Sequence, residues 1–174
     1  MSFKVGNLSK REVDQLVGPP IKQVWYKPER TGSPSVFLKK WQGRSDSSPS
    51  FPIDSRCNFE YRPKGIIVHA NYSNNTKQLV IPFILITKVE LIRGTESVNP
   101  IRFYPMWLLL KFGVPLLRAR YFGLSKRQYA IEEATLTLTT TDHEIGFIGN
   151  GFDFEALLRF FKRLKLNERL IVQM

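Results

Sequence analysis

The chain has 174 residues and carries 26 Lys and Arg against 15 Asp and Glu, a formal charge of +11. That length holds one domain with a real core plus an extension, not two ordinary domains. The positive field suits phosphate backbones, anionic lipid or an acidic protein. Cys57 is the only cysteine, which excludes an internal disulfide and leaves the cytoplasm as the expected compartment.

The first residues, MSFKVGNLSKREVDQ, place charges where a signal peptide needs its apolar run. Ser9 and Glu12 have the spacing of a capping box, with Leu8 and Val13 as a hydrophobic staple. They predict a short helix that Gly18-Pro19-Pro20 stops. From there to Pro52 turn formers dominate, interrupted by two aromatic islands, 24–26 and 36–41, expected as short strands or docked loops. Residues 1–56 therefore read as an N-terminal extension pinned by Trp25 and Trp41, and residues 57–174 as the domain.

Strands follow. Residues 65–71 and 79–83, separated by the polar cluster 72–77, predict a hairpin, with Pro82 at an edge or a break because it cannot donate to a ladder. Residues 86–93 alternate apolar with polar as a half-buried antiparallel strand does. In 134–141 leucines face one way and threonines the other. Asp142-His143 then turns the chain into a strand over 144–149. A closing helix is expected after Asp153 as N-cap, with Phe154, Leu157, Leu158, Phe161 and Leu164 on one side.

This order over about 57–166 resembles the pleckstrin-homology-like fold, in its small bacterial versions. Residues 81–91 resemble that family's strand, bend, strand passage, and 136–166 its last strands and capping helix. The resemblance implies a mainly β, α+β domain: two nearly orthogonal antiparallel sheets forming a partly open barrel, stoppered at one end by a C-terminal helix. Members that bind phosphoinositides use basic residues in the loop after the first strand. The turn Tyr61-Arg62-Pro63-Lys64-Gly65 is too short and proline-bound to be that pocket, so no headgroup site carries over.

The segment 101–128, IRFYPMWLLLKFGVPLLRARYFGLSKRQ, interleaves rings and aliphatics with Arg102, Lys111, Arg118, Arg120, Lys126 and Arg127 and contains no acid. Lys111, Pro105, Gly113 and Pro115 break it into pieces shorter than the roughly 20 apolar residues of a spanning helix. Two readings compete: a packed piece whose cations snorkel at its rim, or an amphipathic insert presented to an acidic surface. In the second, Tyr104, Trp107, Phe112 and Tyr121 sit at the interface while the cations meet headgroups. The candidate binding residues are Arg102, Trp107, Lys111, Arg118, Arg120, Tyr121, Lys126 and Arg127.

Chemistry motifs are missing. Cys57, His69 and His143 lack a metal-ligand spacing, no base is set beside a nucleophile, and Gly146, Gly149 and Gly151 read as a strand-to-helix turn rather than a phosphate cradle. The expected function is a non-enzymatic binding or scaffold module without cofactor or metal, cytoplasmic and peripheral at a membrane. Its expected partner is an anionic lipid surface or an acidic protein. Nucleic-acid binding and homo-oligomerisation through the same insert are the alternatives.

Overall fold

The alternating stretch Ala134–Thr140 does form a strand, with Ala134, Leu136, Leu138 and Thr140 buried and Thr135, Thr137 and Thr139 half-buried. It lies in a large mixed sheet. The computed structural model describes residues 4–6, 8–21, 31–43, 52–73, 75–123 and 128–174. It divides the chain into one unit of residues 1–93 with 133–174 and a second of residues 94–132.

The first unit contains β1 (Lys4–Gly6), α1 (Lys10–Val17), β2 (Val36–Gly43), β3 (Arg56–Arg62), β4 (Gly65–Tyr72), β5 (Asn75–Pro82) and β6 (Ile86–Ile92). After the second unit come β9 (Ala134–Thr140), β10 (His143–Gly149), α4 (Phe154–Arg163) and β11 (Leu170–Gln173). The strand order is β1-β5-β4-β3-β2-β10-β9-β6-β11, antiparallel except for the parallel pair β11 and β6. The sheet's inner face and α4 share one core, in which Phe59 of β3 lies 5.1 Å from Phe147 of β10 and 5.4 Å from Phe161 of α4, ring centre to ring centre. Burial of such rings supplies most of the stabilisation.

Several expectations hold in detail. Ser9 and Glu12 form the capping box, Leu8 packs on the cluster containing Val13, and Gly18 ends α1 with φ 88°. Pro82 ends β5, as expected of a residue that cannot donate to a ladder. The α4 stripe is buried as its spacing predicts, with Phe160 buried as well.

Two differ. Asp153 stands at the N-cap position of α4 as expected but makes no side-chain cap bond; that bond comes earlier, from Asn150, whose side chain accepts from the Phe152 N–H at 3.1 Å at the head of the 3-10 turn Gly151–Asp153 that leads into α4. Within the segment read as an extension, β2 stands in the middle of the sheet between β10 and β3, with Val36 and Leu38 fully buried. Its two inward residues alternate with Phe37 and Lys39, a pattern too short to stand out among the turn formers around it. The island at 24–26, with Trp25, lies outside the described residues.

The second unit contains β7 (Glu96–Val98), α2 (Pro105–Lys111), α3 (Leu116–Ala119) and β8 (Tyr129–Ile131). Its strands pair with each other, Glu96 opposite Ile131 and Val98 opposite Tyr129. Met106, Ala119 and Tyr129 form a small core with Leu109, Leu110, Val114, Leu116 and Ile131 packed against it. Among the described residues no helix is long and apolar enough to cross a membrane.

Candidate functional site: the cation-and-ring surface of residues 94–132

The sequence breaks this unit into short helices. Pro105 starts α2 at a position that tolerates proline, Phe112 closes it, and Gly113 at φ 78° and Pro115 turn the chain into α3. A helix of seven residues can bury only one side, and α2 turns Met106, fully buried, inward with Leu109 and Leu110. Two rows at i, i+4 spacing remain. One is Phe103, Trp107 and Lys111; the other is Tyr104, Leu108 and Phe112.

The first row is a stack. Arg102 lies 5.0 Å over the Phe103 ring, Phe103 is 5.3 Å from Trp107, and the Lys111 ammonium is 5.1 Å from the Trp107 ring centre. Such cation–π contacts position cations without cancelling their charge. The second row faces solvent: Phe112 is 80% exposed, and Tyr104 and Leu108 are exposed too. On α3 and the 3-10 turn after it, Leu117, Tyr121 and Phe122 are also exposed, Tyr121 at 77%. Most of the exposed large apolar side chains among the described residues belong to this unit, where isolated ones would be unremarkable but a concentration marks a contact surface.

Charge is as uneven. The acids of residues 94–132 are Glu96 and Glu132, and both are engaged: Glu96 accepts from the Tyr129 hydroxyl, and Glu132 from the Thr95 hydroxyl. No carboxylate among the described residues lies within ion-pair distance of Arg102, Lys111, Arg118 or Arg120. Arg120 is set apart by its fixation. Its guanidinium lies 5.2 Å from the Tyr121 ring and 5.7 Å from the Tyr129 ring, and Nη1 donates to the Tyr129 hydroxyl at 3.2 Å. The Tyr121 and Tyr129 hydroxyls hold its pKa above the usual arginine value, while burial first, and then the bond to Glu96, raises that of Tyr129.

Of the residues singled out from sequence, Arg102, Trp107 and Lys111 come together on α2 and its approach, and Arg118, Arg120 and Tyr121 on α3 and the turn after it. Lys126 and Arg127 lie outside the described residues. Phe103, Leu108, Leu117 and Phe122 were missed, although the i, i+4 relation of 104 to 108 could have found Leu108.

The other titratable groups make contacts within the fold. His69 Nε2 meets Glu60 Oε2 at 2.7 Å, Glu60 Oε1 lies 2.7 Å from Arg62 Nε, and Arg62 reaches Asp14 of α1 at 3.3 Å. The bond to His69, then the charge of Arg62, hold the Glu60 carboxyl below the usual carboxylate range. His143 is half-buried with its ring 5.5 Å from Trp41, and burial lowers its pKa. Cys57 is buried, and burial pushes its thiol up to about 12, far from the thiolate a nucleophile needs. Gly146 and Gly149 lie within β10, not in a loop. Among the described residues no group of three or more His, Cys, Asp or Glu could hold a metal ion.

No family model matches the chain, and no curated protein or solved structure is significantly similar to it.

Proposed function

We propose that this protein is a non-enzymatic, peripheral membrane-binding module, cytoplasmic, whose residues 94–132 lie in the interface of an anionic bilayer. The observation that carries the reading is the pairing of unneutralised cations with exposed rings and aliphatics in one small unit: Arg102, Lys111 and Arg118 beside Tyr104, Leu108 and Phe112. Anionic headgroups meet the cations while the acyl boundary takes the apolar tips. An acidic protein would have to match that irregular relief with a groove; a lipid surface deforms to it. Nucleic acid is disfavoured because Arg102, Lys111 and Arg120 already lie over rings that bases would stack on.

The same proposal takes the first unit as a pleckstrin-homology-like frame. In its favour, β5-β4-β3-β2 and β10-β9-β6 are two antiparallel runs joined through β2 and β10. The β2 and β3 pairing is confined to Val36 with Cys57 and Phe37 with Arg56, as where a strand passes from one sheet to another, and α4 lies on the shared core. The first strand is then β2, and residues 44–55, of which 44–51 lie outside the described residues, connect it to β3.

The test is vesicle co-sedimentation of a variant carrying Arg102→Gln, Lys111→Gln and Arg118→Gln. At about 1 kcal/mol per cation near an anionic surface, affinity falls about a hundredfold with an unchanged melting temperature. Wild-type protein that binds neutral and anionic vesicles equally, or a variant that binds as wild type, defeats the proposal.

A further inference from the structure

We infer that Arg120 is a preformed phosphate-recognition site within this surface, offering its guanidinium fork to the phosphate of an anionic lipid headgroup; the inference rests on the membrane reading above. Arg102 and Lys111 each lie on a single ring, and Arg118 is exposed. Arg120 alone among the described cations of the unit is held by two rings and a hydroxyl. That hydroxyl is itself fixed: Tyr129 is buried, belongs to β8, and donates onward to Glu96. The carboxylate is thereby engaged through the phenol and does not form an ion pair with the arginine. The only side-chain acceptors of Arg120 among the described residues are the two tyrosine hydroxyls, the Tyr121 contact being long at 3.5 Å, so the guanidinium keeps N–H donors to spare.

A guanidinium pre-set in this way loses little freedom on meeting a planar pair of acceptor oxygens, and it binds phosphate in a two-pronged manner that an ammonium cannot reproduce. The level also fits. Tyr121 and Phe122, the next two residues, are exposed rings, and aromatic side chains settle at the depth of the headgroups, where the lipid phosphate is.

The experiment measures binding of the full chain to phosphatidylglycerol vesicles in a phosphatidylcholine carrier, for wild type, Arg11→Lys and Arg120→Lys, over a range of salt concentrations. Both substitutions keep the charge. Arg11→Lys, at an exposed position on α1 outside this surface, is expected to bind as wild type, whereas Arg120→Lys loses about tenfold, the cost of one charge-assisted hydrogen bond, and retains a larger fraction of that loss at high salt than diffuse attraction would. Tyr129→Phe, which keeps the ring and removes the hydroxyl, is a second probe should Arg120→Lys fold poorly; it is expected to weaken binding in the same direction. Soluble glycerol phosphate should compete only weakly, since it lacks the interface that brings the rings into play. If Arg120→Lys and Tyr129→Phe, both folded, bind like Arg11→Lys, the phosphate site is refuted while the membrane reading stands. If wild type ignores the anionic vesicles, both fall.

Discussion

Phe112 is the sharpest place to separate packing from recognition. It closes α2, its N–H is bonded to the Leu108 carbonyl through the backbone, and its ring is 80% exposed. Full burial of a Phe side chain contributes about 1.5–3 kcal/mol; with four-fifths of the ring outside, about 1–2 kcal/mol remains to be gained at a lipid interface, roughly a tenfold effect on partitioning. Phe112→Ala should therefore lower affinity for anionic vesicles about tenfold in a co-sedimentation titration and leave the thermal midpoint within a degree or so. Met106, on the same helix and fully buried, supplies the contrast, because Met106→Ala removes core volume and should cost about 2–5 kcal/mol of local stability. A Phe112→Ala protein that melts several degrees lower yet binds vesicles as wild type does would refute the reasoning, for the ring would then be part of the packing.

A Cβ at Gly65 would lie 2.4 Å from the Ile81 carbonyl oxygen and 2.5 Å from Val17 Cγ1, so Gly65→Ala should destabilise by about 1–3 kcal/mol in urea titration; an unchanged midpoint would contradict the close approach of α1 to β4. Because the folded Glu60 carboxyl titrates below its unfolded value, its contribution is present above the unfolded pKa and is lost as pH falls through the folded one. Glu60→Gln should thus be less stable at neutral pH with the difference shrinking in acid, and parallel acid-unfolding curves would argue against the His69 bond. Gln128 is 1% exposed with neither amide atom bonded among the described residues, so Gln128→Leu should leave stability equal or raise it by about 1 kcal/mol. A clear loss in calorimetry would mean that the carboxamide has a partner.

How much of this was legible follows from the range of each signal. The cap at Ser9, the stop at Gly18 and the alternation from Ala134 to Thr140 are local, and they appear where the residues put them. The place of β2 in the sheet is not local. Its partners are Ile145, Phe147 and their neighbours about a hundred residues on, along with Cys57, and nothing in residues 36–43 announces them. The cap bond from Asn150 was not legible, because it serves a 3-10 turn ahead of α4 that the helical spacing after Asp153 does not announce. In residues 101–128 the density of cations and rings was plain, but their arrangement was not: that Arg120 rests on Tyr129 depends on a chain return through β8, whereas the stack over Trp107 follows from helical spacing once α2 is known.

The central claim is that residues 94–132 meet lipid, and Trp107 can report it directly. With Trp25 and Trp41 replaced by Phe, the emission of Trp107 should shift to the blue on adding phosphatidylglycerol vesicles and be quenched most by bromine placed high on the acyl chains. Vesicle-bound protein whose Trp107 emission neither shifts nor quenches would mean that another surface makes the contact, and the account would be wrong.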